Sequence, residues 1–320
     1  MIRIRDLSVS YATEDGKILA LDGINLVIPD AQTFGIVGES GSGKSTLALA
    51  LMRLLPRNGK AESGTMEVDG TDVLRLPEEE MARIRGLQIS MVFQGAMNTL
   101  NPLIKIEDQV AEPLLIHHVK EPQEALEAAH ECLNLAGLGR DVWRKYPHEL
   151  SGGMKQRAVI ATAIVSQPKV LIADEPTTAL DVITQAQITN LLRDLQRRLN
   201  MTTILISHDL PLVAEVADRI AIFYAGKVCE DGTNAQVLKG QVHPYTRGLV
   251  GSVLLPGVRK EPSIIQGDPV DLRDPPRGCR FMPRCPEASD ACASYDYTGF
   301  RVEEGHTVYC LRCGDHRADR

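Results

Sequence analysis

The stretch Gly38-Glu39-Ser40-Gly41-Ser42-Gly43-Lys44-Ser45-Thr46 constrains this chain more than any other. It satisfies the pattern G-x-x-x-x-G-K-[ST], with Gly38, Gly43, Lys44 and Ser45 at the fixed positions. An apolar run, Phe34 to Val37, precedes it, and Leu47-Ala48-Leu49-Ala50-Leu51 follows. That context predicts a buried strand, a glycine loop and a helix. Glycines let successive backbone N–H groups turn inward, and the helix presents its positive end to an anion. In such a loop Lys44 reaches the β- and γ-phosphates of a nucleotide, and the Ser45 hydroxyl binds Mg²⁺.

A second apolar strand, Val170 to Ala173, runs into Asp174-Glu175-Pro176. Taken alone, the two carboxylates read as acidic residues at the start of the next helix. In register with Lys44 they read as hydrolysis machinery. Asp174 then holds Mg²⁺, and Glu175 orients and polarises the attacking water. His208 follows the expected strand Thr203–Ser207, where it suits a γ-phosphate contact or a surface cap. Gln94 follows the expected strand Ile89–Phe93, where its amide suits Mg²⁺ or the attacking water. Tyr11, near the first strand, suits either stacking on a base or packing.

Between these landmarks the chain alternates strands with helices. Residues 2–10 and 24–28 read as strands of a small β layer, and 64–70 as a further short strand-and-turn unit. Residues 121–137, 154–166 and 182–199 read as helices, and 220–224 as a further strand. Such alternation specifies an α/β domain, with a helical insertion over roughly 95–165. A net charge of −7 argues against a nucleic-acid partner. The N-terminus lacks the apolar core of a signal peptide, and apolar runs stay well under the ~20 residues a bilayer span needs. A soluble intracellular chain, able to dock on a membrane protein, is expected.

Leu150-Ser151-Gly152-Gly153-Met154 places Ser151 and two glycines before a helix expected to begin at Met154. That is a second anion-binding helix terminus. The first loop already holds a triphosphate, so this cradle suits a nucleotide carried by another chain, in a composite site closed by dimerisation.

With these residues in order, the chain resembles the nucleotide-binding subunits of ABC transporters. The matching motifs are the loop Gly38–Thr46, Gln94, the signature Leu150–Gln156, the strand ending at Asp174-Glu175, the segment Thr178-Ala179-Leu180-Asp181, and His208. The resemblance implies ATP hydrolysis with Glu175 as base and Tyr11 on adenine. Gln94, Ser45 and Asp174 would lie around Mg²⁺, Ser151, Gly152 and Gly153 would close on a partner's ATP, and Asp181 would be a further nucleotide-binding residue. It implies an ABC-type ATPase core with an antiparallel β subdomain and a helical subdomain over residues 1–242. Soluble family members of DNA repair and translation carry coiled-coil insertions or two such domains. Neither pattern is visible here, which favours transport.

Residues 243–320 form an extension. His243-Pro244-Tyr245-Thr246 and Gly278-Cys279-Arg280-Phe281-Met282-Pro283-Arg284-Cys285-Pro286 resemble hallmarks of the dipeptide and oligopeptide importer branch, which nickel and oligosaccharide importers share. The resemblance implies two membrane permease subunits and a second related ATPase subunit, with a homodimer as the alternative. An extracellular solute-binding protein would select the cargo, and this chain would sit on the cytoplasmic face of the membrane.

Seven prolines fall between Pro256 and Pro286, in a stretch too poor in periodic apolar residues to build a core of its own. It reads as a disordered tail or as a small lobe held by something other than apolar burial. Cys279, Cys285, Cys292 and Cys310, with Cys313 as a spare or a substitute for Cys310, offer a crosslink by metal. Four thiolates accommodate zinc or an iron–sulfur cluster, and the spacing favours neither. The branch resemblance implies a [4Fe–4S] cluster, with His306 a nearby packing or hydrogen-bonding residue.

Overall fold

Residues 1–252 and 265–315 are described by a computed structural model of the chain. Pro256 and Pro262, two of the prolines of the extension, lie outside the described residues. The strands in chain order are β1 (Ile2–Thr13), β2 (Gly16–Ile28), β3 (Thr33–Val37), β4 (Gly59–Val68), β5 (Thr71–Asp72) and β6 (Ile89–Val92). They continue with β7 (Val170–Asp174), β8 (Thr202–Ser207), β9 (Arg219–Tyr224), β10 (Lys227–Thr233), β11 (Phe300–Glu303) and β12 (His306–Val308). The chain divides into two compact units. One comprises Met1–Ile28, Phe34–Leu74 and Ser207–Arg320, and the other Pro29–Thr33 and Arg75–Ile206.

In the first unit β1 and β2 form an antiparallel hairpin, registered from Ile2 opposite Ile28 to Thr13 opposite Gly16. Both strands run further toward the turn than the expected 2–10 and 24–28. The reason is that β1 is paired on its other edge as well, with Tyr11 still opposite Gly59 of β4. β4 accordingly starts at Gly59 rather than Gly64. Ile2, Ile4, Leu7 and Val9 of β1 are all buried. The layer has the order β2-β1-β4-β5.

The same unit carries β3 parallel to β9, with Phe34 opposite Arg219 and Val37 opposite Ile222. Every residue of β3 is buried, as expected of a strand covered on both faces. β9 turns into β10 antiparallel, β10 pairs with β12, and β12 with β11. The C-terminal extension therefore adds a hairpin to the edge of β10.

In the second unit β6, β7 and β8 pair in parallel, Ile89 opposite Val170 and Val170 opposite Thr202. Helices Ile106–Ile116, Pro122–Leu135, Arg140–Trp143 and Gly152–Ile164 lie within or at the edge of the expected helical insertion. Pro122 occupies the first turn, where a missing N–H costs nothing, and Ala125, Ala129, Cys132 and Leu133 form the buried stripe. The architecture is α/β, with an antiparallel β layer, a helical region and a cysteine-containing C-terminal extension. Among the described residues no helix is long and apolar enough to cross a membrane.

The extension is a small lobe, and its anchors are aromatic and ionic. Phe281 packs edge-on against Tyr224 at 5.2 Å between ring centroids, and Tyr245 completes the cluster. Buried Arg280 pairs with Asp22 at 2.6 Å and also donates to the Ala225 carbonyl. His306 Nε2 lies 2.8 Å from Glu230 Oε1, and both side chains are buried.

The expectation of a metal crosslink is overturned. Among the described residues no group of three or more His, Cys, Asp or Glu side chains is arranged to hold a metal ion. Cys279, Cys285, Cys292 and Cys310 do line a common cavity, but it measures about 20 Å³. That is space for little more than one water. Cys313 Sγ lies 3.2 Å from the Val242 carbonyl oxygen and 2.9 Å from Cys310 Sγ, and it belongs to no metal-holding group either. Burial pushes the Cys279 thiol up to about 11. Neither the [4Fe–4S] cluster nor zinc is supported, and the anchors above perform the structural task once assigned to metal.

Candidate nucleotide-binding site

The phosphate loop lies in the first unit, between β3 and the helix Lys44–Leu51. Its path depends on glycine. A Cβ on Gly38 would meet the Phe223 carbonyl oxygen at 2.0 Å. Gly43 has φ +99 and a Cβ there would lie 2.6 Å from the Ala20 carbonyl oxygen. Gly41 also turns through positive φ, at +77. These left-handed turns are conformations L side chains disfavour.

Lys44 is 5% exposed and folds back into the loop. Its ammonium donates to the carbonyls of Gly38 and Glu39, each at 2.8 Å. Ser42 is buried beside it. The helix that starts here has Gly43 as its N-cap, no side-chain cap and no acidic residue in its first turn. A buried ammonium beside a helix N-terminus fits a polyphosphate. Tyr11 donates its hydroxyl to Thr46 Oγ1 at 3.2 Å, which brings the expected base-stacking residue to the end of the loop. Exposed His208 lies between Ser207, at the end of β8, and Asp209, the N-cap of the next helix.

Two residues outside the motif hold the loop, and the sequence did not single them out for it. The Glu39 N–H donates to the Tyr245 hydroxyl at 3.1 Å. Arg284 Nη1 donates to Glu39 Oε2 at 2.7 Å and to the Tyr224 hydroxyl at 3.3 Å. Tyr245 lies in the segment His243–Thr246 and Arg284 in Gly278–Pro286, the two stretches that resemble the importer branch.

The second unit holds the other candidates. Asp174 ends β7 and is buried. Glu175 adopts φ +47, unusual for a residue with a side chain, and its N–H is tied to the Ile206 carbonyl at 2.9 Å. Gln94 Nε2 donates to Glu175 Oε2 at 3.2 Å, and Thr178 Oγ1 donates to the same oxygen at 3.0 Å. Gln94 thus meets the carboxylate directly. Thr178, not singled out as a site residue, is its second support.

The signature helix begins two residues before the expected Met154, at Gly152. Ser151 is its N-cap and accepts from the Met154 N–H at 3.3 Å. Gly153 lies against the following helix, Val182–Leu199, where a Cβ would approach Thr184 Cγ2 to 2.7 Å. Asp181 caps that helix, accepting from the Thr184 N–H at 3.0 Å and its hydroxyl at 2.6 Å. These bonds hold the Asp181 carboxyl below the usual carboxylate range.

Fold and loop together define a phosphate-loop nucleotide-binding protein. The ABC transporter family profile matches residues 21–178, and the profile for the oligopeptide/dipeptide transporter C-terminal region matches 229–292. The oligopeptide transport ATP-binding protein OppD of Escherichia coli is 43% identical, covering 92% of this chain and 88% of the relative. The dipeptide transport ATP-binding protein DppD of Bacillus subtilis is 43% identical, covering 100% and 96%. Among solved structures, the dimeric ABC transporter cassette MJ0796 superposes with a TM-score of 0.65 at 32% identity, covering 73% of this chain and 99% of that one. The chain belongs to the ATP-binding subunits of ABC transporters, in the oligopeptide/dipeptide branch.

Proposed function

We propose that this chain powers import of dipeptides or oligopeptides through a membrane permease, from the cytoplasmic face. The observation that carries the peptide assignment is the C-terminal lobe. Residues 229–292 match the oligopeptide/dipeptide transporter C-terminal region, and both hallmarks fall inside it. Relatives named for oligopeptide and dipeptide transport, matching nearly the full chain, support the same reading.

In this reading Lys44 and the N–H groups of Ser40 to Thr46 bind the β- and γ-phosphates, while Tyr11 stacks on the base. Ser45 and Asp174 would hold Mg²⁺ through hard oxygens, and the bound ion would neutralise phosphate charge. Glu175 accepts the proton of the attacking water as phosphate is released. Gln94 and Thr178, which donate to its carboxylate, keep that base aimed. His208 donates to the γ-phosphate. Ser151, Gly152, Gly153 and Asp181 close on ATP held by a second ATPase subunit. Two permease subunits and an extracellular solute-binding protein complete the assembly.

Vesicles carrying the assembled complex, with its binding protein and internal ATP, test the cargo. Uptake of labelled dipeptide or oligopeptide is expected; uptake confined to an oligosaccharide or to nickel would overturn the peptide assignment. A single ATPase polypeptide in the complex purified from the native cell would replace the heterodimer with a homodimer.

A further inference from the structure

Glu39 is held at four points, two inside the phosphate loop and two beyond it. Its carbonyl accepts from Lys44 Nζ at 2.8 Å and from the Ser42 N–H at 3.2 Å. Its N–H is taken by the Tyr245 hydroxyl at 3.1 Å, and its carboxylate by Arg284 at 2.7 Å. The first two bonds are internal to the loop. The other two come from the C-terminal lobe, 206 and 245 residues further along the chain.

Both lobe residues are themselves fixed. Tyr245 is fully buried, 4.7 Å from the Tyr224 ring and 5.2 Å from that of Phe281. The Arg284 side chain is 6% exposed; its Nε donates to the Gln266 carbonyl at 3.1 Å, and its guanidinium lies 5.7 Å from the Tyr224 ring centroid. A guanidinium held this way is a preorganised partner for a carboxylate.

We infer that Arg284 and Tyr245 are positioning residues of the phosphate loop, acting through Glu39. Arg284 neutralises a carboxylate that would otherwise stand in a loop built to receive a polyanion. Tyr245 takes the Glu39 N–H, fixing the peptide plane before Glu39. The Glu39 carbonyl is thereby presented to the Lys44 ammonium. Neither residue touches the nucleotide in this account. The lobe that marks the importer branch thus sets the loop's affinity for MgATP. This rests on the nucleotide-binding reading of the loop.

Equilibrium binding of MgATP to the full-length chain, measured as a function of salt, tests it. Arg284→Ala is expected to weaken binding about tenfold, since an ionic hydrogen bond is lost and a like charge is exposed to the phosphates. Adding Glu39→Gln to Arg284→Ala should recover most of that loss, because the unpaired charge is then gone. A purely structural arginine would show no such recovery. Should Arg284→Ala fail to fold, Tyr245→Phe, which keeps the ring and removes the acceptor, is expected to weaken binding at least threefold. Wild-type affinity in Arg284→Ala or in Tyr245→Phe, or no recovery in the double variant, would overturn the inference. Absence of MgATP binding by the wild-type chain would instead overturn the nucleotide reading beneath it.

Discussion

The Gln94 carboxamide donates to Glu175 Oε2 at 3.2 Å, so the glutamine that follows β6 meets the carboxylate that follows β7. Thr178 donates to the same oxygen at 3.0 Å. Hydrogen bonds to a carboxylate favour its charged form, the form a general base needs. The Glu175 backbone, at φ +47, is a conformation that costs ~1–3 kcal/mol and persists only where neighbours over-determine it.

Replacing Gln94 by glutamate sets a second carboxylate against the first. Like charges oppose ionisation, so the Glu175 pKa rises. In the Gln94→Glu variant the ascending acid limb of kcat against pH should move to higher pH. A profile superimposable on wild type would remove Gln94 from the environment of the base.

Gly153 carries a steric prediction. A Cβ there would come within 2.7 Å of Thr184 Cγ2, so Gly153→Ala forces one helix away from the next. Such overpacking costs ~1–3 kcal/mol. Thr184→Ser removes the offending methyl and keeps the hydroxyl that donates to Asp181 at 2.6 Å. Chemical denaturation should find Gly153→Ala destabilised and the double variant largely restored. Equal loss in both would mean that the contact with Thr184 is not the constraint.

His243 ties the extension to pH. Its Nδ1 accepts from the Tyr245 N–H at 3.0 Å, capping the helix Pro244–Gly251 in the neutral form. Burial pushes its pKa from near 6.5 down to about 4, against the opposing pull of the Glu230 carboxylate. The unfolded chain therefore takes up the proton first as pH falls, and stability present above pH 6.5 is lost progressively toward pH 4. The loss is on the order of 3 kcal/mol. Asp231, pushed by burial up to about 6, titrates in this window with the opposite sign. Comparison with His243→Asn cancels that contribution, since asparagine keeps a capping oxygen but does not titrate there. Between pH 6.5 and 4.5 the wild type should lose more stability than the variant; parallel curves would contradict the neutral buried histidine.

Local order was legible in the sequence wherever one short segment contained the whole reason for it. The phosphate loop, the buried run Val170–Asp174 and the helix behind Pro122 are of that kind. The signature helix begins two residues before Met154 because glycine, a poor helix former by propensity, is required at 153 where Thr184 packs close. Long-range relations had no local sign. Arg284 and Glu39 belong to motifs 245 residues apart, and nothing in either spacing pairs them. β11 and β12 were missed because they are short strands completed by the edge of β10. The cysteines misled for the converse reason. Four thiols in a core-poor segment, together with the branch resemblance, point to a ligand set, while the side chains meet around a cavity of about 20 Å³ and, among the described residues, no group is arranged to hold a metal ion.

Peptide uptake and ATP turnover, followed together in vesicles carrying the assembled transporter, test the central claim most directly, with Glu175→Gln against wild type. The substitution keeps the side chain's shape and removes the base. Turnover should fall about 10²–10⁴-fold at that site, peptide uptake should fall with it, and MgATP binding should remain. Uptake that continues at the wild-type rate, or ATP turnover indifferent to the substitution, would contradict a chain whose Glu175 drives peptide import.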